Sequence, residues 1–131
     1  MTERPDWDTY FLGVAAAVSI RADCSRRQVG CVIVDEDHRI IATGYNGAPA
    51  GEPGCLAGYC PRGRLTEEEA RSVEKNYDFG PYYCIAVHAE ANALLHARTS
   101  CKGATVYVTK EPCPACTKLL KAAGISRLVI A

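Results

Sequence analysis

The stretch HAEANALLHARTSCKGATVYVTKEPCPACTKLLKAAGISRLVIA, residues 88–131, decides the fold. It predicts a helix from His88 to Arg98, with Ala91, Leu94 and Leu95 on one face. Ala104 to Thr109 is rich in β-branched and aromatic residues and predicts a strand. Pro114 to Ala123 predicts a second helix, which Gly124 can terminate. Arg127 to Ala131 predicts a final strand. Strand, helix and strand with short connections imply parallel neighbours joined by a right-handed crossover.

Working outward, Gln28 to Val34 and Arg39 to Tyr45 are two apolar runs around the polar turn Asp35-Glu36-Asp37-His38. That pattern is an antiparallel hairpin. Upstream, Phe11, Val14, Ala15, Val18 and Ala22 recur at helical spacing and predict a helix over 6–22, with Asp6 and Asp8 at its positive end. The segment 46–86 is different, being rich in Gly, Pro and Cys. Its one clear helix starts at Thr66, where Thr66-Glu67-Glu68-Glu69 fits a capping box. Loops of such length are functional or tied down. The whole chain, 1–131, reads as a single α/β domain of three layers. A mixed central sheet carries helices on both faces.

Composition narrows the function. A chain of 131 residues suits one domain. With 48% hydrophobic and 23% charged residues it is not a disordered segment. No apolar run approaches the ~18 residues of a membrane helix, and the first residues lack the basic-then-apolar pattern of a secretory signal. A cytoplasmic protein is expected. Fifteen basic and fifteen acidic residues leave no net charge and no basic block. That argues against a nucleic-acid or membrane partner and for a small polar substrate. The eight cysteines are the anomaly. Without a secretory context, grouped cysteines read as metal ligands or catalytic thiols.

Two segments carry the chemistry, His88-Ala89-Glu90 and Pro112-Cys113-Pro114-Ala115-Cys116. A CxxC pair offers two thiolates from one turn, and one imidazole makes three ligands. Three ligands describe an open catalytic zinc site, since closed structural sites have four. Glu90 then stands beside the open position without being a ligand, as a general acid–base must. Both segments fall at predicted helix starts, which Pro112 and Pro114 suit. The plain alternative is a helix-face histidine and two buried thiols. A further one is a non-catalytic zinc module used for assembly, which has no need of Glu90.

His88-x-Glu90 followed by Pro112-Cys113-x-x-Cys116 resembles the signature of zinc deaminases. The resemblance extends over nearly the whole chain to deoxycytidylate (dCMP) deaminases, within the cytidine deaminase superfamily. It includes Gly44-Tyr45-Asn46-Gly47-Ala48-Pro49-Ala50-Gly51, Val87 to Leu95, and Tyr107-Val108-Thr109. This resemblance implies hydrolysis of dCMP to dUMP and ammonia, catalytic Zn2+ on His88, Cys113 and Cys116, and proton transfer by Glu90. It implies substrate contacts at Asn46, Ala89 and Tyr107. Arg26 or Arg27, from charge and place, is a candidate for the 5′-phosphate; a solvated surface pair is the alternative. Other zinc deaminases, acting on modified dCMP, cytidine, guanine or tRNA adenosine, share the core, and neutral charge argues against the tRNA version. The resemblance also implies a second, structural Zn2+ at Cys24 and Cys55, for which Cys60 and Cys84 complete a set of four; free buried thiols or an oxidation product are the alternative. It further implies a homohexamer with dCTP and dTTP regulators near residues 46–51, with Mg2+ accompanying a regulatory nucleotide.

The remaining residues have simpler readings. Cys31 alternates within a strand and should pack in the core. Cys101 lies in a turn and should be an exposed thiol. His38 is a turn residue, His96 a helix histidine, and Trp7 a packing anchor.

Overall fold

A computed structural model describes residues 3–131. Its elements are α1 (Trp7–Ser19), β1 (Gly30–Val34), β2 (Ile40–Tyr45), a 3-10 turn (Cys55–Ala57), α2 (Glu67–Ser72), α3 (Ala89–His96), β3 (Thr105–Val108), α4 (Pro114–Ala122) and β4 (Arg127–Ile130). The strands form one mixed sheet in the order β2-β1-β3-β4. β1 is antiparallel to β2 and β3, and β3 is parallel to β4. This is the three-layer α/β arrangement expected from the sequence.

All five residues of β1 are buried. A strand covered on both faces reads as an unbroken apolar run, as this one does. Cys31 and Ile33 face one core, with Ala89 and Ala93 of α3 and Leu120 of α4. Val32 and Val34 face the other, with Phe11 and Ala15 of α1. Two glycines let helix backbones touch the sheet. A Cβ on Gly30 would lie 1.9 Å from the Ala15 carbonyl oxygen, and one on Gly44 would lie 2.3 Å from that of Ala89. No side chain fits at either place, so the helices sit directly on the strands.

Local chemistry explains the helix ends. Asp6 caps α1 by accepting from the Thr9 backbone at 2.8 Å. Thr66 and Glu69 form the predicted capping box on α2. The expected apolar face of α3 shifts: Ala89, Glu90 and Ala93 are the buried residues, and Leu95 is 72% exposed. Cys101 is also a correction. It is 8% exposed and belongs to the core beneath α4. The turn after it folds inward, with Gly103 donating to Gly124 O and Ala104 to Cys101 O. Trp7 is half-exposed yet stacks on Phe11 and on His38, whose φ of 60° is left-handed.

The segment 46–86 is tied down by arginines, which the sequence reading missed. Arg62 is 7% exposed; it donates to Glu74 O and Tyr82 O and lies 4.2 Å over the Tyr77 ring. Arg26 donates to Arg62 O at 2.8 Å and to Leu65 O. No described helix is long and apolar enough to cross a membrane.

Candidate active site

α3 and α4 point their N-termini at one place. His88 is the N-cap of α3 and Cys113 the N-cap of α4, with Pro114 in the first turn. Caps have extended dihedrals, so both side chains stand off the helix ends (ψ 152° and 165°). The Cys113 sulfur accepts from the Cys116 backbone at 3.4 Å. Thr109 anchors the approach to α4, exchanging contacts with Gly30 at 3.0 and 3.1 Å.

His88 Nδ1 lies 3.4 Å from Cys113 Sγ and 3.3 Å from Cys116 Sγ. An ion ~2.3 Å from sulfur and ~2.1 Å from nitrogen in tetrahedral geometry sets an S···N edge of about 3.6 Å. The donor set therefore fits zinc, and it does so through Nδ1. Among the described residues this is the one group of three potential ligands whose donor atoms all lie within 4.8 Å. His88 is exposed, Cys113 half-buried and Cys116 buried, so the three ligands lie where the core meets the surface.

Glu90 is the second residue of α3 and is 3% exposed. The Cys116 thiol is pushed far above its ordinary range, by burial first and then by the Glu90 carboxylate beside it. Two sulfurs and a buried carboxylate thus surround one gap, with the Cys116 sulfur held as a neutral thiol in the absence of a cation. A divalent cation there would favour the thiolate, and two helix N-termini add positive potential.

The other candidates divide. Ala89 is buried in the first turn of α3. The Asn46 amide is engaged in the scaffold, accepting from Val29 N and donating to Arg27 O, both at 2.8 Å. Arg26 holds the loop backbone, as described. Arg27, in contrast, lines an open cleft of about 670 Å³ with Glu111, Pro112, Pro114 and Thr117, residues that flank Cys113 in the chain.

Tyr107 is not brought to the site. Its ring packs on Phe11 on the α1 face of the sheet, and its hydroxyl donates to Asp8 at 2.7 Å. Val106 and Val108 take the face toward α3, and strand alternation sends Tyr107 across. Burial and then Asp8 push its hydroxyl up to about 12.

Cys24, Cys55, Cys60 and Cys84 do not form a compact ligand group; no three of their sulfurs lie within 4.8 Å of one another. They nonetheless meet around one junction. Cys55 Sγ is 3.6 Å from Ser25 Oγ, and Gly63 donates to Cys60 Sγ at 3.3 Å. The Cys84 thiol is pushed up to about 11, by burial first, with Cys60 beside it adding to the rise.

The comparisons agree with this geometry. The family model "Cytidine and deoxycytidylate deaminase zinc-binding region" matches residues 5–131. A deoxycytidylate deaminase of Mycobacterium phage D29 is 54% identical over 127 residues, covering 96% of this chain and 94% of that protein. The deoxycytidylate deaminase of Saccharomyces cerevisiae is 41% identical, and this chain spans 38% of its length. A dCMP deaminase from the cyanophage S-TIM5, solved in complex with dCMP and dUMP, superposes with a TM-score of 0.72 at 26% identity. That match covers 98% of this chain and 83% of the cyanophage chain. Because the family model runs through all four strands and both helices that present the ligands, the chain belongs to the cytidine and deoxycytidylate deaminase family.

Proposed function

We propose that the chain hydrolyses dCMP to dUMP and ammonia. The observation that carries this is the buried Glu90 beside an open three-ligand site. The phage D29 relative, similar over nearly its full length, supports dCMP as the substrate. When bound, zinc lowers the pKa of a water toward ~7 and so supplies a hydroxide at neutral pH. His88, Cys113 and Cys116 hold the ion from two helix starts. Glu90 accepts the water's proton and delivers it to N3 of the pyrimidine. The hydroxide oxygen bonds to C4; Glu90 then takes the proton of that new hydroxyl and passes it to the C4 amino group, so that the C4–N bond breaks, ammonia leaves and the oxygen remains as a carbonyl. Burial keeps the carboxylate away from bulk water between these transfers.

Arg27 is the better candidate for the 5′-phosphate, because Arg26 spends its guanidinium on loop carbonyls. A planar guanidinium facing an open cleft can take a phosphate in two parallel bonds. Deoxycytidine and dCMP assayed side by side test this. A much higher kcat/KM for dCMP is expected, and equal values would remove the phosphate contact.

A second, structural zinc on Cys24, Cys55, Cys60 and Cys84 is a further part of the proposal. Supporting it are the meeting of these residues at one junction and the long segment they would crosslink. Elemental analysis should give two zinc ions per chain, and one zinc with four titratable loop thiols would refute it. Family resemblance supports a homohexamer, and regulation by dCTP and dTTP with Mg2+. Sedimentation with and without these nucleotides tests them.

A further inference from the structure

Asparagine is a poor residue for a helix interior, because its amide competes for backbone partners. Yet Asn92 is the fourth residue of α3. Its Nδ2 donates to Tyr45 O at 2.8 Å and reaches Val87 O at 3.4 Å. Tyr45 ends β2, and Val87 immediately precedes His88. Gly47 and Val87 exchange both backbone hydrogen bonds, at 3.1 and 2.7 Å. One side chain thus joins the end of a strand to the residue before a metal ligand.

The His88 ring makes that joint matter. Ligating histidines usually have their second nitrogen held by a carboxylate or carbonyl. Among the described residues, the His88 ring has hydrogen-bonding contacts only with the two cysteine sulfurs, through Nδ1. Its direction must therefore come from the backbone that carries it.

We propose that Asn92 is a positioning residue for the metal centre, fixing the start of α3, and with it His88 and Glu90, to the end of β2. The inference rests on the zinc reading of the site. The test uses Asn92→Ala and Asn92→Leu, with Leu94→Ala as a control. Leucine keeps bulk and helix propensity, so it gives the same reading should the alanine variant not fold. Leu94 packs against the core from the same helix and lies outside the metal site.

Co2+ is the probe, read by its affinity and by its thiolate and d–d absorption bands. The Asn92 variants should bind Co2+ about 10- to 100-fold more weakly with shifted bands, the usual scale for support around metal ligands. Their kcat should fall while KM changes little. Leu94→Ala should melt earlier but keep wild-type Co2+ affinity and bands. Wild-type affinity and bands in the Asn92 variants would overturn the proposal, as would an equal loss in Leu94→Ala. A wild type that binds Co2+ with thiolate bands but leaves dCMP unchanged would sink the substrate reading and leave this one standing.

Discussion

Glu90 is the residue on which the proposed chemistry turns. A carboxylate 3% exposed, with no titratable cation paired to it by a salt bridge among the described residues, is costly unless something compensates it. A metal held by His88, Cys113 and Cys116 would do so, and the proposed acid–base role would use the same closeness. Glu90→Gln should retain zinc yet lose at least about 10²–10⁴ in kcat, the usual worth of a general acid–base group. Metal content and turnover measured on one preparation check it, and near-normal activity would remove Glu90 from its role. The two neighbouring arginines make a second contrast. Arg27→Ala should raise KM for dCMP with little effect on deoxycytidine. Arg26→Ala should instead loosen the segment 55–66, seen as faster proteolysis or amide exchange. A KM change in Arg26→Ala and none in Arg27→Ala would reverse the assignment.

At the scale of elements, α3 can serve the site only because it lies directly on β2. A Cβ on Gly44 would come within 2.3 Å of Ala89 O and 2.5 Å of Ala93 N, both backbone atoms that cannot swing aside. Gly44→Ala should cost about 1–3 kcal/mol or more by overpacking. It should also cut kcat, since displacing catalytic groups by ~1 Å can lose ~10²-fold. A thermal melt and a rate on the same variant test both parts. The helix starts that bring His88, Cys113 and Cys116 together were legible in the sequence because caps, prolines and residue spacing are local signals. The hairpin and the β3–α4–β4 unit were legible because their patterns are short and periodic. Tyr107 was misplaced because family likeness was followed where strand alternation points the other way. Cys101 was misread because a turn was equated with exposure, whereas this turn folds under α4. The long segment resisted reading because guanidinium-to-carbonyl bonds from Arg26 and Arg62 hold it, and these leave no periodic trace. Asn92 did leave a signal, as a polar residue within a short helix.

Across the whole molecule, the first helix and the outer strand are joined by charge. Arg127 pairs with Asp8, which also accepts from Tyr107. The Arg127 guanidinium first, and then the Tyr107 hydroxyl, hold the Asp8 carboxyl down at about 2, below its ordinary 3.8. A lowered folded value means that this stability is fully present above ~4 and is lost as pH falls toward 2. Melting temperatures of wild type and Asp8→Asn should therefore differ at neutral pH and converge near pH 2. A constant gap down to that pH would mean that the pair is not the cause. The central claim, that two helix N-termini present a zinc site for deaminating a nucleotide, has a more direct test. Purified protein is stripped with a chelator, reloaded with zinc and given dCMP, and dUMP and ammonia are measured together. The account predicts equal amounts of the two products from the zinc-loaded protein and none from the stripped protein. Zinc-loaded, folded protein that leaves dCMP unchanged would contradict it.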